Sequence, residues 1–250
     1  MHMPSKPLEL SEWSESAPAN RAQVACSRCG LGELCLPRGL DTQETEMFEK
    51  IVHKSRPIQR GEHIFRAGDE FRSVASVRSG CFKSYVINTD GEEQVLGFHL
   101  PGEIIGLDAV HSGTHLANVV ALDTSGVCAL NFESVTEMAR HLPELQAELF
   151  RVMSQQIAEL ESNAGDLTAD QRIARFLVSL SRRFARRGYS STEFNLSMSR
   201  RDIASHLRLA TETVSRVLAR FQDGGVVAVN RKNIVILDAA ALAEQALLPS

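Results

Sequence analysis

The chain has 250 residues and a formal charge of −4 at pH 7, from 27 basic and 31 acidic side chains. Hydrophobic residues make up 43% and charged residues 23%, the ordinary balance of a globular protein with its own core. No apolar run approaches the ~18 residues that a membrane span needs. The polar N-terminus also lacks the apolar segment of a secretion signal. We therefore expect no membrane association and a cytoplasmic location, where thiols stay reduced.

The charge is unevenly distributed. Residues 171–232 contain 13 basic and 4 acidic side chains, so this segment carries +9 and the rest of the chain carries −13. A basic block in an acidic protein is typical of nucleic-acid binding, and a solvated charged face is the alternative.

The first half of the chain indicates a β-rich domain. Residues 1–25 are interpreted as a flexible N-terminal arm, and residues 26–142 as a cysteine loop and a β-barrel sensor domain. Within the latter, residues 41–55 have a helical pattern, and short β-rich runs separated by glycine turns follow up to residue 130. Asp90-Gly91 is a hairpin signal. Such short, closely spaced strands predict an antiparallel jelly roll.

Residues 143–166 predict a long helix that ends at Gly165-Asp166. Apolar side chains recur on one side with a heptad-like spacing, at Phe150, Met153, Ile157 and Leu160. A second stripe lies on another side, at Leu145, Leu149 and Val152. Two stripes allow the helix to pack on its own domain and on a second copy, which predicts a homodimer. One broad buried face within a monomer is the alternative.

Residues 167–250 predict a winged helix-turn-helix, which makes the whole protein α+β. A basic amphipathic helix is followed by two short helices, the first with Ser199 as its N-cap. Two β-runs around Asn230-Arg231-Lys232 would form the wing.

The second short helix has an outer face suited to reading DNA. That face carries Thr211, Glu212, Ser215 and Arg216 in the turns that enter a major groove. Ser199, Arg200 and Arg201 are expected to contact DNA from the start of the first helix. Arg220, Arg231 and Lys232 also suit phosphate contacts.

The run SRRDIASHLRLATETVSRVLARFQ resembles the helix-turn-helix of the CRP/FNR superfamily of bacterial transcription regulators. Thr211 before Glu212, together with Ser215, resembles the FNR branch in particular. The resemblance implies that Glu212, Ser215 and Arg216 read TTGAT-like inverted repeats of double-stranded DNA. It also implies a homodimer that works with RNA polymerase, and no enzymatic activity. The chain departs from the branch at the turn, where Arg208 stands in place of the usual Gly; a positive φ there would cost on the order of 1 kcal/mol.

Three cysteines lie close together near the N-terminus, with the spacing C-x2-C-x5-C at Cys26, Cys29 and Cys35. Three thiolates supply only three of the four ligands that a tetrahedral zinc ion or a cubane cluster takes. The spacing alone leaves Cys81 and Cys128 as candidates for the fourth. The FNR resemblance implies Cys128, a [4Fe–4S] cluster with iron as the metal, and sensing of oxygen through that cluster, with DNA binding at low oxygen. Cys81 is then a small, half-buried strand residue.

Other functions on the same fold remain as alternatives. A cyclic-nucleotide regulator would need an Arg for the cyclic phosphate, and residues 101–120 contain Gly102-Glu103 without any Arg. A regulator responding to zinc, thiol redox or a small effector is the main alternative, and a non-regulatory metalloprotein is a lesser one. The sequence contains no P-loop, dinucleotide fingerprint or Ser/His/Asp order that would indicate an enzyme.

Overall fold

The computed structural model of the chain describes residues 25–162 and 167–247. The predicted arm, apart from Ala25, and the predicted helix end at Gly165-Asp166 lie outside the described residues. Contacts divide the chain into two compact units. The first takes the described residues up to Val86 together with Leu96–Ala158, and the second takes Ile87–Val95 and the chain from Glu159 onward. The sequence-based boundaries after residues 142 and 166 stay predictions.

Two antiparallel sheets of four strands each form the body of the first unit, apart from Ile87 and Glu93–Val95, which the second unit takes. One has the order β1-β8-β3-β6 and the other β2-β7-β4-β5. The strands are β1 Val52–Lys54, β2 His63–Phe65, β3 Ser73–Ser79, β4 Phe82–Ile87, β5 Glu93–His99, β6 Ile104–Ile105, β7 Asn118–Ala121 and β8 Gly126–Asn131. Apolar side chains of both sheets share one core, including Phe65, Val77, Phe82 and Val127. The predicted jelly-roll-like architecture is confirmed.

Three α-helices accompany these sheets: α1 Thr42–Glu49, α2 Phe132–Ala139 and α3 Pro143–Ser162. The helical pattern over residues 41–55 predicted a longer helix than the structure contains. The chain leaves α1 at Lys50 and enters β1 two residues later. Asp41 and Glu44 fix the start of α1 with a reciprocal capping box. Helix α2 was missed by the sequence analysis; its signal was Asn131, whose side chain caps the helix by accepting from the Ser134 N–H.

The second unit contains the predicted winged helix-turn-helix with two further elements. Its helices are α4 Ala169–Ala185, α5 Arg200–Leu207, α6 Thr211–Asp223 and α7 Ala239–Gln245, and its strands are β9 Glu193–Asn195, β10 Val227–Asn230 and β11 Asn233–Ile236. The wing strands β10 and β11 pair antiparallel around the predicted turn. Strand β9, which extends the wing to three strands, and helix α7 were not predicted. None of the described helices is long and apolar enough to cross a membrane.

Candidate functional site

Helix α6 presents the predicted DNA-reading side chains away from its core. Val214, Val217 and Leu218 are buried, which turns the opposite face outward. On that face Glu212, Ser215 and Arg216 are exposed and Thr211 is half-buried. The Ser215 hydroxyl donates to the Thr211 carbonyl at 3.1 Å, and Arg216 donates to the Thr213 hydroxyl at 3.2 Å, so both side chains lie along the helix surface. The face offers a guanidinium donor, a carboxylate acceptor and hydroxyls to a major groove.

The residues expected to touch the DNA backbone differ in how they are held. Ser199 and Asp202 form a capping box that fixes the start of α5, which confirms Ser199 as the N-cap. Arg200 donates to the Arg231 carbonyl at 3.2 Å, which connects the start of this helix to the wing. Burial lowers the pKa of the Arg200 guanidinium. Arg201 is exposed. Arg220 instead pairs with Asp170 of α4, at 2.6 and 2.8 Å to the two carboxylate oxygens.

The turn between α5 and α6 adopts the strained conformation that the sequence analysis considered. Arg208 closes α5 with φ 54° and ψ 49°, in the left-handed region. Its N–H and that of Leu209 bond to carbonyls of the last turn of α5, as helix ends with a left-handed residue do. The side chain therefore carries a conformational penalty of about 1–2 kcal/mol that glycine would avoid.

The sheet and the loop together gather four of the five cysteines around one cavity. Cys26, Cys29, Cys35 and Cys128 all line it, together with apolar side chains such as Leu31, Phe48 and Leu130. Cys81 is fully buried outside this lining, just before β4, where its thiol faces the Phe82 carbonyl at 3.6 Å. The expectation of a half-buried strand residue was therefore wrong. None of the five cysteines, all of which lie within the described residues, forms a disulfide bond. Of the two candidates that spacing left open, the fold brings Cys128 to the cysteine loop and leaves Cys81 outside the cavity lining.

Strand register explains how Cys128 reaches the loop. Its Cα pairs with that of Lys54 in β1 on one side and that of Ser76 in β3 on the other, which forms a cross-strand row of three residues. Paired residues of neighbouring strands point to the same face of a sheet. In keeping with that geometry, Ser76 Oγ lies 3.1 Å from Cys35 Sγ.

The loop is fastened to the unit at several points. Leu36, next to Cys35, is fully buried in the cluster that also contains Phe48, Leu130 and Leu145. Through this burial Leu36 docks the loop on the sheets. Leu34 lies against Gly102, where an added Cβ would come within 2.7 Å of the Leu34 Cβ, and Gly102 has φ +90°. Only glycine suits that position, so Gly102 serves loop packing.

A carboxylate that belongs to an ion pair also holds the first cysteine in place. The Glu49 carboxylate at the end of α1 accepts the Cys26 backbone N–H at 3.3 Å. The same carboxylate pairs with the Lys54 ammonium at 3.5 Å, and Lys54 is the residue in register with Cys128. Neither residue was predicted, because nothing local to Glu49 or Lys54 indicates that the fold places them beside cysteines.

The cavity disfavours thiolate charge in the metal-free protein. Burial raises the pKa of Cys26 to about 11, and the Glu49 carboxylate adds to the shift. Burial raises the pKa of Cys35 to about 12, although the hydrogen bond from Ser76 opposes it. The pKa of Cys128 is also raised, because the effect of burial exceeds the opposing effect of the Arg78 guanidinium. Charge on Cys128 contributes to the shifts of Cys26 and Cys35, which places the thiols within electrostatic range of one another.

The donor set and its surroundings fit an iron–sulfur cluster. Soft thiolate ligands favour iron–sulfur clusters, zinc and copper(I), and cubane clusters take four cysteines. The apolar lining shields such a group from water. The cations Lys54 and Arg78 would balance negative charge that the four thiolates bring. Within residues 25–162 and 167–247, no group of three or more His, Cys, Asp or Glu is arranged to hold a single metal ion.

Helix α3 shows the two faces that its sequence predicts. Leu145 is fully buried in the cluster beneath the cysteine loop, and Leu149 and Val152 pack against it. On another side Phe150, Met153 and Ile157 are 63%, 39% and 56% exposed. The Leu160 side chain lies outside the described residues. Three large apolar side chains thus lie exposed on one helix face, as a partner-binding face requires.

Comparison with known proteins identifies the family. The Crp-like helix-turn-helix domain matches residues 171–245, and the cyclic nucleotide-binding domain matches residues 55–141. The transcriptional activator protein Anr of Pseudomonas protegens is 45% identical, over 86% of this chain and 90% of that protein. The fumarate and nitrate reduction regulatory protein of Escherichia coli K12 is 41% identical, over 89% of this chain and 90% of that protein. Among solved structures, FixK2 from Bradyrhizobium japonicum is similar with a TM-score of 0.72 and 25% identity, over 80% of this chain and all of that one.

The chain belongs to the CRP/FNR superfamily of transcription regulators and to its FNR branch. It is a DNA-binding regulator and not an enzyme, as the sequence analysis predicted. The match to a cyclic nucleotide-binding domain reports the shared fold of the sensor. In this chain the Glu103 carboxylate accepts the Leu100 N–H at 3.0 Å, so Gly102-Glu103 has a local structural role.

Proposed function

We propose that this protein is a transcriptional activator that senses oxygen through a [4Fe–4S] cluster held by Cys26, Cys29, Cys35 and Cys128. The single observation that carries the proposal is the convergence of these four thiols on one apolar cavity while Cys81 lies outside its lining. Relatives named as activators and as a fumarate and nitrate reduction regulator support it. The protein would act in the cytoplasm, with RNA polymerase, at promoters used when oxygen is low.

The chain's own residues would hold the cluster in a defined way. Cys128 stands on a central strand of the sheet, while the other three ligands belong to the loop. Bound iron would therefore fasten the loop to β8. The cluster supplies reactivity toward O₂; the protein supplies the thiolates, a dry lining and the cations Lys54 and Arg78.

On the DNA side, Glu212, Ser215 and Arg216 would read TTGAT-like half-sites from helix α6. Arg can bind guanine bidentately and Glu can accept from cytosine N4. Thr211, Ser199, Arg200 and Arg201 would fix the register on the duplex through the sugar–phosphate backbone. A two-fold homodimer would place two such helices on an inverted repeat, about one duplex turn apart.

The homodimer would form through α3. Phe150, Met153 and Ile157 are exposed at a spacing of 3 and 4 residues, which is that of a coiled-coil seam, and Leu160 continues the spacing. The opposite face of the same helix packs on the cluster that contains Leu36 of the cysteine loop. A change in the loop is thus transmitted to the buried side of the helix whose other side would pair. This contiguity supports monomer–dimer exchange as the switch.

The proposal is tested on full-length protein purified without oxygen. We expect about four iron and four sulfide per subunit and salt-sensitive, specific binding to the inverted repeat. Stoichiometric zinc in place of iron would refute the cluster assignment.

Sedimentation before and after air exposure, with operator binding measured on the same samples, tests the switch. A dimer that persists while operator binding disappears would refute exchange and leave reorientation of the DNA-binding domains.

A regulator of the same fold that responds to zinc or to thiol oxidation is the second candidate. Each of the five cysteines is a thiol in the structure, and thiols can bind zinc or form disulfides. Zinc retained after aerobic purification, or operator binding that follows a reversible disulfide, would favour that candidate over the cluster.

A further inference from the structure

Ser76 stands out among the residues around the cysteine cavity. It is 3% exposed, lies on the central strand β3 and lines the cavity with the four thiols. Its Oγ is 3.1 Å from Cys35 Sγ. The resemblance of the chain to its family does not involve this residue, and no part of the DNA-binding function uses it.

The chemistry of a bound ligand decides the direction of this hydrogen bond. In the thiol form either atom can donate. A cysteine that ligates iron is a thiolate without a proton, so the serine hydroxyl has to be the donor. The Leu36 backbone N–H is a second donor to the same sulfur, and both favour the charged form of Cys35. Ser76 is the donor that a substitution can remove.

We propose that Ser76 is a tuning residue for the cluster: its hydroxyl donates to the Cys35 thiolate and makes the bound cluster easier to reduce and harder to oxidise. This inference rests on the proposed function. Hydrogen bonds to cluster sulfurs are among the factors that set reduction potential, because a donor stabilises the added electron. Burial strengthens the effect, since water cannot readily take the place of a lost hydroxyl in an apolar lining.

The test compares cluster-loaded proteins prepared without oxygen: wild type, Ser76→Ala, Ser76→Thr and the control Ser73→Ala. Ser73 is a buried serine of the same strand that does not line the cavity. The readout is the midpoint potential of the one-electron couple, measured with an electrode and mediators, so that one electron enters the cluster and no bond breaks. We expect Ser76→Ala to raise the oxidised-to-reduced ratio at fixed potential by up to tenfold, which lowers the midpoint by up to about 59 mV. Ser76→Thr and Ser73→Ala should stay near wild type.

The outcomes separate this inference from the function on which it rests. Wild type without iron and sulfide would overturn the proposed function. Loaded wild type and Ser76→Ala with equal potentials would overturn only the role of Ser76, and so would Ser76→Thr behaving like Ser76→Ala.

A second measurement separates the hydroxyl from the Leu36 N–H, which donates to the same sulfur. Resonance Raman spectra of loaded wild type should show iron–thiolate stretching bands that shift when H₂O is exchanged for D₂O, and the shift should be smaller in loaded Ser76→Ala. Bands that stay in place would contradict the hydrogen bond, even where Ser76→Ala fails to fold.

Discussion

The recognition helix and the cysteine cavity represent opposite ways of building a site. The side chains proposed to read DNA lie within one 13-residue helix and face outward. The four thiols come from a loop and from a strand about 90 residues further along the chain, and they face an apolar cavity. The helix surface depends on local sequence and exposure. The cavity depends on strand register, since moving β8 by one residue would turn Cys128 to the other face of the sheet.

This difference also predicts how each site fails. Removing an outward-facing side chain removes only its own contacts, so substitutions on α6 should weaken DNA binding by graded amounts. Each of the four proposed cysteine ligands is indispensable, so its substitution should abolish cluster binding completely. The predictions that follow run from complete loss to a small gain in stability.

The largest effect is expected for Cys128→Ser. A hydroxyl is a poor substitute for a soft thiolate, so we expect no cluster in anaerobic preparations and no operator binding. Iron and sulfide analysis with the visible spectrum is the measurement. Cys81→Ser is the matched control and should keep full iron. Retention of the cluster in Cys128→Ser, or its loss in Cys81→Ser alone, would show that the cavity has been misassigned.

A pH effect distinguishes the buried thiols from surface groups in the metal-free protein. The ordinary thiol pKa is 9.0, and burial raises it to about 11 for Cys26 and about 12 for Cys35. Between pH 9 and 12 the unfolded chain therefore releases protons that the folded chain keeps. The free energy of unfolding should be unaffected below pH 9 and should fall above it, by at most about 1.4 kcal/mol per pH unit and per thiol.

Urea unfolding of the metal-free protein at several pH values measures this dependence. Cys35→Ser removes one of the thiols, so its stability should decline less steeply above pH 9 than that of wild type. Equal slopes for the two proteins would mean that Cys35 ionises in the folded protein as it does in the unfolded chain.

On the DNA-reading face, Arg216→Ala should cost about 1–3 kcal/mol of operator binding and relax discrimination at one G·C pair. Arg201→Ala is the matched control, an exposed Arg expected to contact phosphate; its loss should weaken specific and random DNA alike and reduce the salt dependence. Binding titrations at several salt concentrations on both kinds of DNA separate the two. An equal loss for Arg216→Ala on specific and random DNA would remove it from base reading.

The same contrast explains what could be predicted from the sequence. The wing, the Ser199 cap and the buried face of α6 were predicted because caps, turns and periodicity are local signals. Helix α2 was missed because eight residues give too short a pattern beside a β-run. Ser76 and Lys54 could not be found at all, since only the register of β1, β8 and β3 brings them to Cys128. Glu49 could not be found either, because only the fold places the end of α1 beside Cys26. The resemblance supplied Cys128 where physical reasoning alone left two candidates.

The smallest expected effect concerns Arg208, where the residue type conflicts with the left-handed backbone conformation. Arg208 has φ 54°, and Arg231 in the wing turn has the same value. Glycine would remove a strain of about 1–2 kcal/mol at Arg208 but would add disorder to the unfolded chain, so Arg208→Gly should stabilise by about 0.5–1 kcal/mol. Arg231→Gly should act in the same direction, whereas Ala219→Gly, within α6, should destabilise by about 1 kcal/mol. Urea unfolding followed by circular dichroism measures all three. A destabilised Arg208→Gly would mean that the arginine side chain makes contacts worth more than the strain. The helix-turn-helix of this chain would then differ from its relatives in how the turn is held.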